Sequence, residues 1–145
     1  MTDFDCDWID AFTDQAFGGN GCAVVYDKNG LPDEICCAFV KETSLTECTF
    51  VGPSDVADFK MVIINADGSI PEMCGNGLRC LIKFGVDLGY FLGNSAVIDT
   101  SSGPLSCDIG EGDAAIRLVT VNMGVPRLGR SHSLSIDARS YAIQD

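Results

Sequence analysis

The amino-acid sequence predicts an α+β fold in which a curved mixed or antiparallel β-sheet surrounds a central helix. Many short segments have the apolar or alternating composition of strands, whereas only residues 31–44 and 75–88 have the periodicity of helices. The second helical segment is apolar over a broad face, which predicts a helix that the sheet encloses. With 145 residues, 46% of them hydrophobic, the chain is long enough for one domain with its own core.

The first half of the chain contains four predicted strands and the shorter helix. The strands are expected at residues 4–12, 22–26, 47–51 and 59–64, separated by turns rich in glycine, proline and asparagine. Pro32 and the two acids after it predict the start of the helix. Its buried face is predicted to consist of Ile35, Ala38 and Phe39, with Glu42 as a candidate fourth member. Trp8 is expected in the core and His132 at the surface.

The loop between the first two strands carries Gly18 and Gly19 directly before Asn20. Glycine tolerates positive φ, and it has no Cβ to block another group. The pair therefore predicts positive φ and a close approach of this loop to a neighbouring part of the chain.

In the second half, the longer helix is followed by further strands. Residues 96–100 form one, and residues 105–109 and 114–123 form a predicted hairpin around a turn at 110–113. Residues 133–136 and 141–143 are expected to be short strands joined by a turn at 137–139. The helix face predicted to be buried consists of Leu78, Leu81, Ile82, Gly85, Val86 and Leu88.

The segment Asn65–Cys80 joins the fourth strand to the longer helix and contains the strongest candidate site. Cys74 stands directly before Gly75-Asn76-Gly77, where the helix is expected to start. The unpaired N–H groups of a first helical turn favour negative charge, so they can lower the pKa of a thiol there toward neutrality. The same groups can bind a carboxylate. Cys74 is therefore a candidate base or nucleophile beside an anion site.

Composition excludes several classes of function. The net charge of −12 argues against nucleic acid as a partner. The sequence starts without a signal-peptide pattern and has no run of roughly 18 apolar residues, so we expect a cytoplasmic chain without a membrane span. No Cys-x-x-Cys occurs and only one histidine is present, which argues against a metal site.

The cysteines other than Cys74 are expected to be reduced and structural. Cys80 lies further along the helix, facing away from Cys74, and is expected in the core. The cysteines expected to fill the core or its edge are Cys22, Cys36, Cys37, Cys48 and Cys107.

The Cys74 segment carries a family resemblance. Asn65-Ala-Asp-Gly-Ser, followed by Met-Cys-Gly-Asn-Gly-Leu-Arg-Cys at residues 73–80, resembles the first catalytic segment of diaminopimelate epimerase. Residues 100–103 and 121–126 resemble later parts of that enzyme's first half. Two earlier segments, residues 10–20 and 42–51, resemble the phenazine-biosynthesis-like isomerases of the same superfamily. The resemblance implies two similar lobes, each a barrel-like sheet around a central helix, with the active site between them.

The resemblance also implies a mechanism without pyridoxal phosphate, metal or other cofactor. Two cysteines face opposite sides of the substrate α-carbon; one thiolate removes the proton and the other thiol returns one. Cys74 corresponds to one of this pair. Gly75 and Asn76 would bind the α-carboxylate through backbone amides. The other residues that correspond to substrate-contacting positions are Asn20, Glu47 and Asn65.

The second half of the epimerase pattern does not follow residue 124, so one chain carries half of the implied active site. The predicted organisation is an epimerase-like lobe at residues 1–126 and the start of a second lobe, or a terminal extension, at 127–145. We expect a small diaminopimelate-like amino acid as the substrate and a second lobe or a homodimer partner to complete the site.

Three functions remain open at this level. The first is an amino-acid epimerase that uses Cys74. The second is a phenazine-type isomerase in which Glu47 is the acid and base. The third is an inactive half-lobe that acts through a partner chain.

Overall fold

Seven strands form one sheet in the computed structural model, which describes residues 4–125, 129, 131–137 and 139–144. The strands lie side by side in chain order: β1 (Asp5–Ala11), β2 (Asn20–Tyr26), β3 (Glu47–Gly52), β4 (Phe59–Asn65), β5 (Ser95–Thr100), β6 (Gly103–Gly112) and β7 (Arg117–Val121). The two helices are α1 (Asp33–Thr43) and α2 (Gly75–Asp87). A separate antiparallel hairpin consists of β8 (Ser131–Ile136) and β9 (Arg139–Gln144).

The sheet is mixed, and its two parallel pairs determine where the helices lie. β2 is parallel to β3 across α1, and β4 is parallel to β5 across α2, whereas the other neighbouring pairs are antiparallel. Both crossovers step the same way across the sheet, but their strand pairs run in opposite directions because β3 and β4 are antiparallel. Crossovers of the usual right-handed sense must then place the two helices on opposite faces, as observed.

Side chains of the central strands alternate between two cores. On β2, Cys22 and Val24 pack with α2, while Ala23 and Val25 pack with α1. β3 and β4 alternate in the same way. Because helices cover both faces, these strands are almost continuously apolar in sequence.

The sheet curves around α2. This helix contacts β1, β2 and β3 near one edge of the sheet and β7 at the other edge. Its first three turns are largely buried, including Leu78, Leu81 and Ile82. The prediction of a curved mixed sheet around a buried helix is therefore confirmed, although Leu88, at the C-cap, is exposed.

The face predicted to be buried on α1 is wrong. The helix buries Cys36 and Val40, whereas Ile35 is 52% exposed and Ala38 and Glu42 are also exposed. Only Phe39 of the predicted face is partly buried, against Phe50. A helix that lies on the convex face needs only a narrow apolar stripe, and small residues suffice there. Trp8 is also wrongly assigned to the core, because it lies on edge strand β1 and is 59% exposed.

The glycine loop makes the predicted close approach. A Cβ on Gly19 would lie 2.0 Å from the carbonyl oxygen of Ala11. Positive φ occurs instead at Phe17 (65°), next to the glycine pair, and at Phe12 (63°), earlier in the loop.

Both predicted hairpins are present with different strand bounds: β6, β8 and β9 are longer than predicted, whereas β7 is shorter than the predicted 114–123. β6 and β7 pair around a turn in which Asp113 accepts hydrogen bonds from the N–H groups of Ala115 and Ile116. Asp137 lies in the turn between β8 and β9, while Ala138 is outside the described residues. The predicted boundary between residues 126 and 127 also lies outside them and stays a prediction.

Replacing Gly77 by alanine should lower the free energy of unfolding by about 1–3 kcal/mol through overpacking. A Cβ there would lie 2.6 Å from Thr49 Oγ1 and 3.0 Å from Ile63 Cδ1. Alanine otherwise stabilises helices by about 1 kcal/mol relative to glycine, so a loss must come from the contact. Urea denaturation followed by circular dichroism measures the change.

Gly93→Ala is the matched control, because a Cβ at residue 93 meets nothing within 4 Å. It should leave stability unchanged or raise it by about 0.4–1 kcal/mol. Equal stability of the two variants would contradict the close contact at Gly77.

Candidate active site

The first turn of α2 lies directly against β3. Thr49 is fully buried on the concave face, and Gly77 leaves room for its hydroxyl. Glu47 is two residues earlier on the same strand, so its side chain leaves the strand on the same face. This packing brings Glu47 to Cys74, the N-cap residue of α2.

Cys74 and Glu47 are in direct contact. The Cys74 thiol lies 3.1 Å from Glu47 Oε1 and 3.3 Å from Oε2, in position to donate to the carboxylate. The backbone N–H of Gly77 donates to the same sulfur at 3.3 Å. The Asn76 side chain donates from Nδ2 to Glu47 Oε1 at 3.0 Å. One thiol, one carboxylate and one amide thus form a continuous hydrogen-bonded group.

The Cys74 thiol is held in its protonated form. Burial raises its pKa most, the Gly77 N–H lowers it, and the adjacent Glu47 carboxylate raises it again, to a net value of about 11. The expectation of a pKa lowered toward neutrality is therefore wrong for this arrangement. The helix N-terminus acts in the expected direction, but desolvation and the carboxylate outweigh it.

The remaining predicted site residues lie at the same end of the sheet. Asn20 begins β2, Glu47 begins β3 and Asn65 ends β4, and the antiparallel direction of β4 brings these ends together. Asn65 is directly opposite Glu47 in the strand register. Its side chain donates to Ser69 Oγ at 2.9 Å and closes the turn after β4. Asn20 is exposed.

Two residues that sequence reasoning did not assign to the site support it. Arg79 Nη1 donates to the carbonyl oxygen of Gly75 at 2.8 Å, and its guanidinium lies 4.8 Å from the centre of the Phe12 ring. Thr49 Oγ1 is 3.3 Å from Cys22 Sγ beneath the helix start. The sequence feature that could have indicated the contact between Thr49 and Cys22 is Thr49 itself, a polar residue within an apolar strand. Cys80 is fully buried, as predicted.

The described residues offer neither a metal-binding cluster nor a membrane-spanning helix. They contain no group of three or more His, Cys, Asp or Glu side chains suited to a metal ion. None of their helices has the length and apolar character needed to cross a membrane.

Known proteins include relatives of this chain. The family model for diaminopimelate epimerase matches residues 19–129. The diaminopimelate epimerase of Parabacteroides distasonis is 36% identical over 110 residues, which cover 74% of this chain and 40% of the relative. That of Geobacillus sp. (strain WCH70) is 44% identical over 79 residues, covering 54% of this chain and 28% of the relative.

A solved structure extends the comparison. The Bacillus anthracis phenazine biosynthesis protein of the PhzF family aligns with a TM-score of 0.73 and 27% identity, over 83% of this chain and 40% of that one. The chain thus spans well under half the length of each of these relatives. The family match covers most of the sequence, including Glu47 and the whole Cys74 segment, and the chain belongs to the diaminopimelate epimerase family.

Proposed function

We propose that this chain carries one half of a cofactor-independent amino-acid epimerase of the diaminopimelate epimerase type. Family membership supports the reaction class. The observation that carries the proposal is the Cys74 thiol at the start of α2, 3.1 Å from the Glu47 carboxylate. A thiol and a carboxylate that share one proton form an acid–base pair able to act at a carbon–hydrogen bond.

The proposed proton transfer has two steps. The Cys74 thiol first passes its proton to Glu47, leaving a thiolate that accepts the Gly77 N–H. The thiolate then takes the α-proton of the substrate, so that sulfur becomes a thiol again and the electron pair of the carbon–hydrogen bond remains on the substrate. Because the substrate carboxylate shares this charge, N–H groups aimed at it stabilise the carbanion.

The start of α2 offers such N–H groups. The backbone amides of Gly75 and Asn76 belong to the first turn, which has no partners for them within the helix. We assign them to the substrate α-carboxylate. Asn20 and Asn65, at the same end of the sheet as Glu47, are the proposed hydrogen-bonding partners of the rest of the amino acid.

Inversion requires a second proton donor on the opposite face of the α-carbon. We propose that residues 1–126 form one lobe and that a second lobe, or a second copy of this chain, supplies this donor. All eight cysteines are free thiols in the structure, which suits a reducing cytoplasmic location.

The test is solvent-deuterium exchange at the α-carbon of diaminopimelate, measured by mass spectrometry with the reduced protein, alone and mixed with a complementary lobe. Cys74→Ser should reduce exchange by at least about 100-fold, the usual contribution of a positioned base. Cys37→Ser, on α1 across the sheet, should leave exchange unchanged. Absence of exchange by the unmodified protein in both settings would contradict the proposed activity.

The contact between the two groups favours one alternative, a phenazine-type isomerase in which Glu47 is the acid and base. The Cys74 thiol has a pKa of about 11 and is protonated at neutral pH, which leaves the carboxylate as the available base. The likeness to the PhzF-family structure supports the same assignment.

Reciprocal variants distinguish the two candidates. If Glu47 is the base, Glu47→Gln should abolish proton transfer and Cys74→Ala should preserve it. If Cys74 is the base, Cys74→Ala should abolish exchange. The rate of deuterium incorporation by each variant, compared with unmodified protein, decides between them. If Cys74→Ala loses deuterium exchange and Glu47→Gln retains it, the alternative is rejected.

A further inference from the structure

The side chain of Asn76 makes a contact separate from the one proposed for its backbone amide. It is 6% exposed, and its Nδ2 donates to Glu47 Oε1 at 3.0 Å. We propose that Asn76 is a positioning residue, whose side-chain amide turns the Glu47 carboxylate toward Cys74 and so fixes the protonation of the thiol. This inference rests on the proposed site but is testable without substrate.

The Glu47 side chain needs a positioning group, because no other contact among the described residues restrains its orientation strongly. No lysine or arginine in the described part of the chain forms an ion pair with Glu47, whose side-chain partners there are the Cys74 thiol and the Asn76 amide. Its side chain is only half-buried and has three rotatable bonds. A glutamate with those freedoms would gain hydration by turning outward, and the thiol is a weak donor.

The amide has the geometry to prevent this. Asn76 and Cys74 both donate to Oε1, at 3.0 and 3.1 Å, so the carboxylate is held between two donors that α2 itself carries. The amide is fixed by burial, and hydrogen bonds to an ionised acceptor are the stronger kind.

The other end of the amide carries the cost of this orientation. Asn76 Oδ1 is buried and has no hydrogen-bond partner among the described residues. Leaving an acceptor unpaired is unfavourable. The orientation is nevertheless the reasonable one, because the reverse would place Oδ1 against the carboxylate.

Other titratable or charged groups near the thiol do not compete for this role. Cys80, on the same helix, is fully buried, and Arg79 is held at the carbonyl oxygen of Gly75. Glu47 on β3 is the carboxylate that raises the pKa of Cys74. Movement of Glu47 should therefore appear directly in the acidity of the thiol.

The experiment is the pH dependence of Cys74 alkylation by iodoacetamide in the folded chain, with each cysteine resolved by peptide mass spectrometry. Only the thiolate reacts, so the midpoint of the rate profile reports the pKa, expected at about 11. Asn76→Ala should lower the midpoint by on the order of one unit, a tenfold change, because an adjacent charge has effects of that size. Glu47→Gln should lower it similarly.

The double variant Asn76→Ala/Glu47→Gln distinguishes a positioning role of Asn76 from a general structural effect of its replacement. If Asn76 acts through Glu47, Asn76→Ala should change nothing further in the Glu47→Gln background. Asn29→Ala, in an exposed turn, is the matched control and should keep the wild-type midpoint. Asn76→Leu provides a second variant of similar volume in case Asn76→Ala does not fold.

An unchanged midpoint in either folded Asn76 variant would overturn the proposal. So would an equal further fall in the Glu47→Gln background, which indicates a structural effect at the helix start. An unchanged midpoint in Glu47→Gln alone would overturn it as well. Because no substrate is present, these outcomes are independent of whether the chain exchanges deuterium.

Discussion

The close approach of α2 to β3 is the constraint on which the candidate site depends. Gly77 lies against the buried Thr49 hydroxyl, at a distance that leaves no room for a Cβ. Glu47 is on the same face of β3, so the position along β3 at which α2 begins determines whether Cys74 contacts Glu47. The curved sheet fixes that position, because β1, β2, β3 and β7 all contact the helix. The packing of α2 against the sheet therefore also brings the thiol and the carboxylate into contact.

Two electrostatic influences compete at Cys74. The first turn of a helix stabilises a thiolate, whereas a half-buried position beside a carboxylate destabilises it. In the free chain the second influence is stronger and the thiol stays protonated. The balance depends on one proton: if Glu47 carries it, the carboxylate no longer raises the pKa of the thiol, and the N–H groups then oppose only the effect of burial. The same geometry that keeps the Cys74 thiol protonated in the free chain thus provides a route to the thiolate.

Sequence patterns predicted what depends on local order. Strand composition, turn residues and helical periodicity identified both helices and the strands of the main sheet, and the Cys74 segment identified the helix start. Cys36 was expected in the core and is buried there, but the burial of Val40 and the exposure of Ile35 were missed, because they depend on how α1 lies on the sheet. The contact between Glu47 and Cys74 was missed for a related reason. The residues are 27 positions apart and belonged to rival hypotheses, and only the crossover geometry brings them together.

That contact changes how the rival hypotheses relate. A base chosen from Cys74 or Glu47 alone would leave the other group as a spectator, yet the two share a hydrogen bond and one proton. In the proposed complex both would act from the same side of the amino acid, because Glu47 lies against Cys74 at the start of α2, where the carboxylate is proposed to bind. Such a pair can remove and return a proton on one face of a carbon, which permits exchange or a shift along one face. Inversion needs a donor on the other face, so in the proposed reaction the stereochemical outcome would depend on whatever lies opposite Cys74, while this pair would remove the proton.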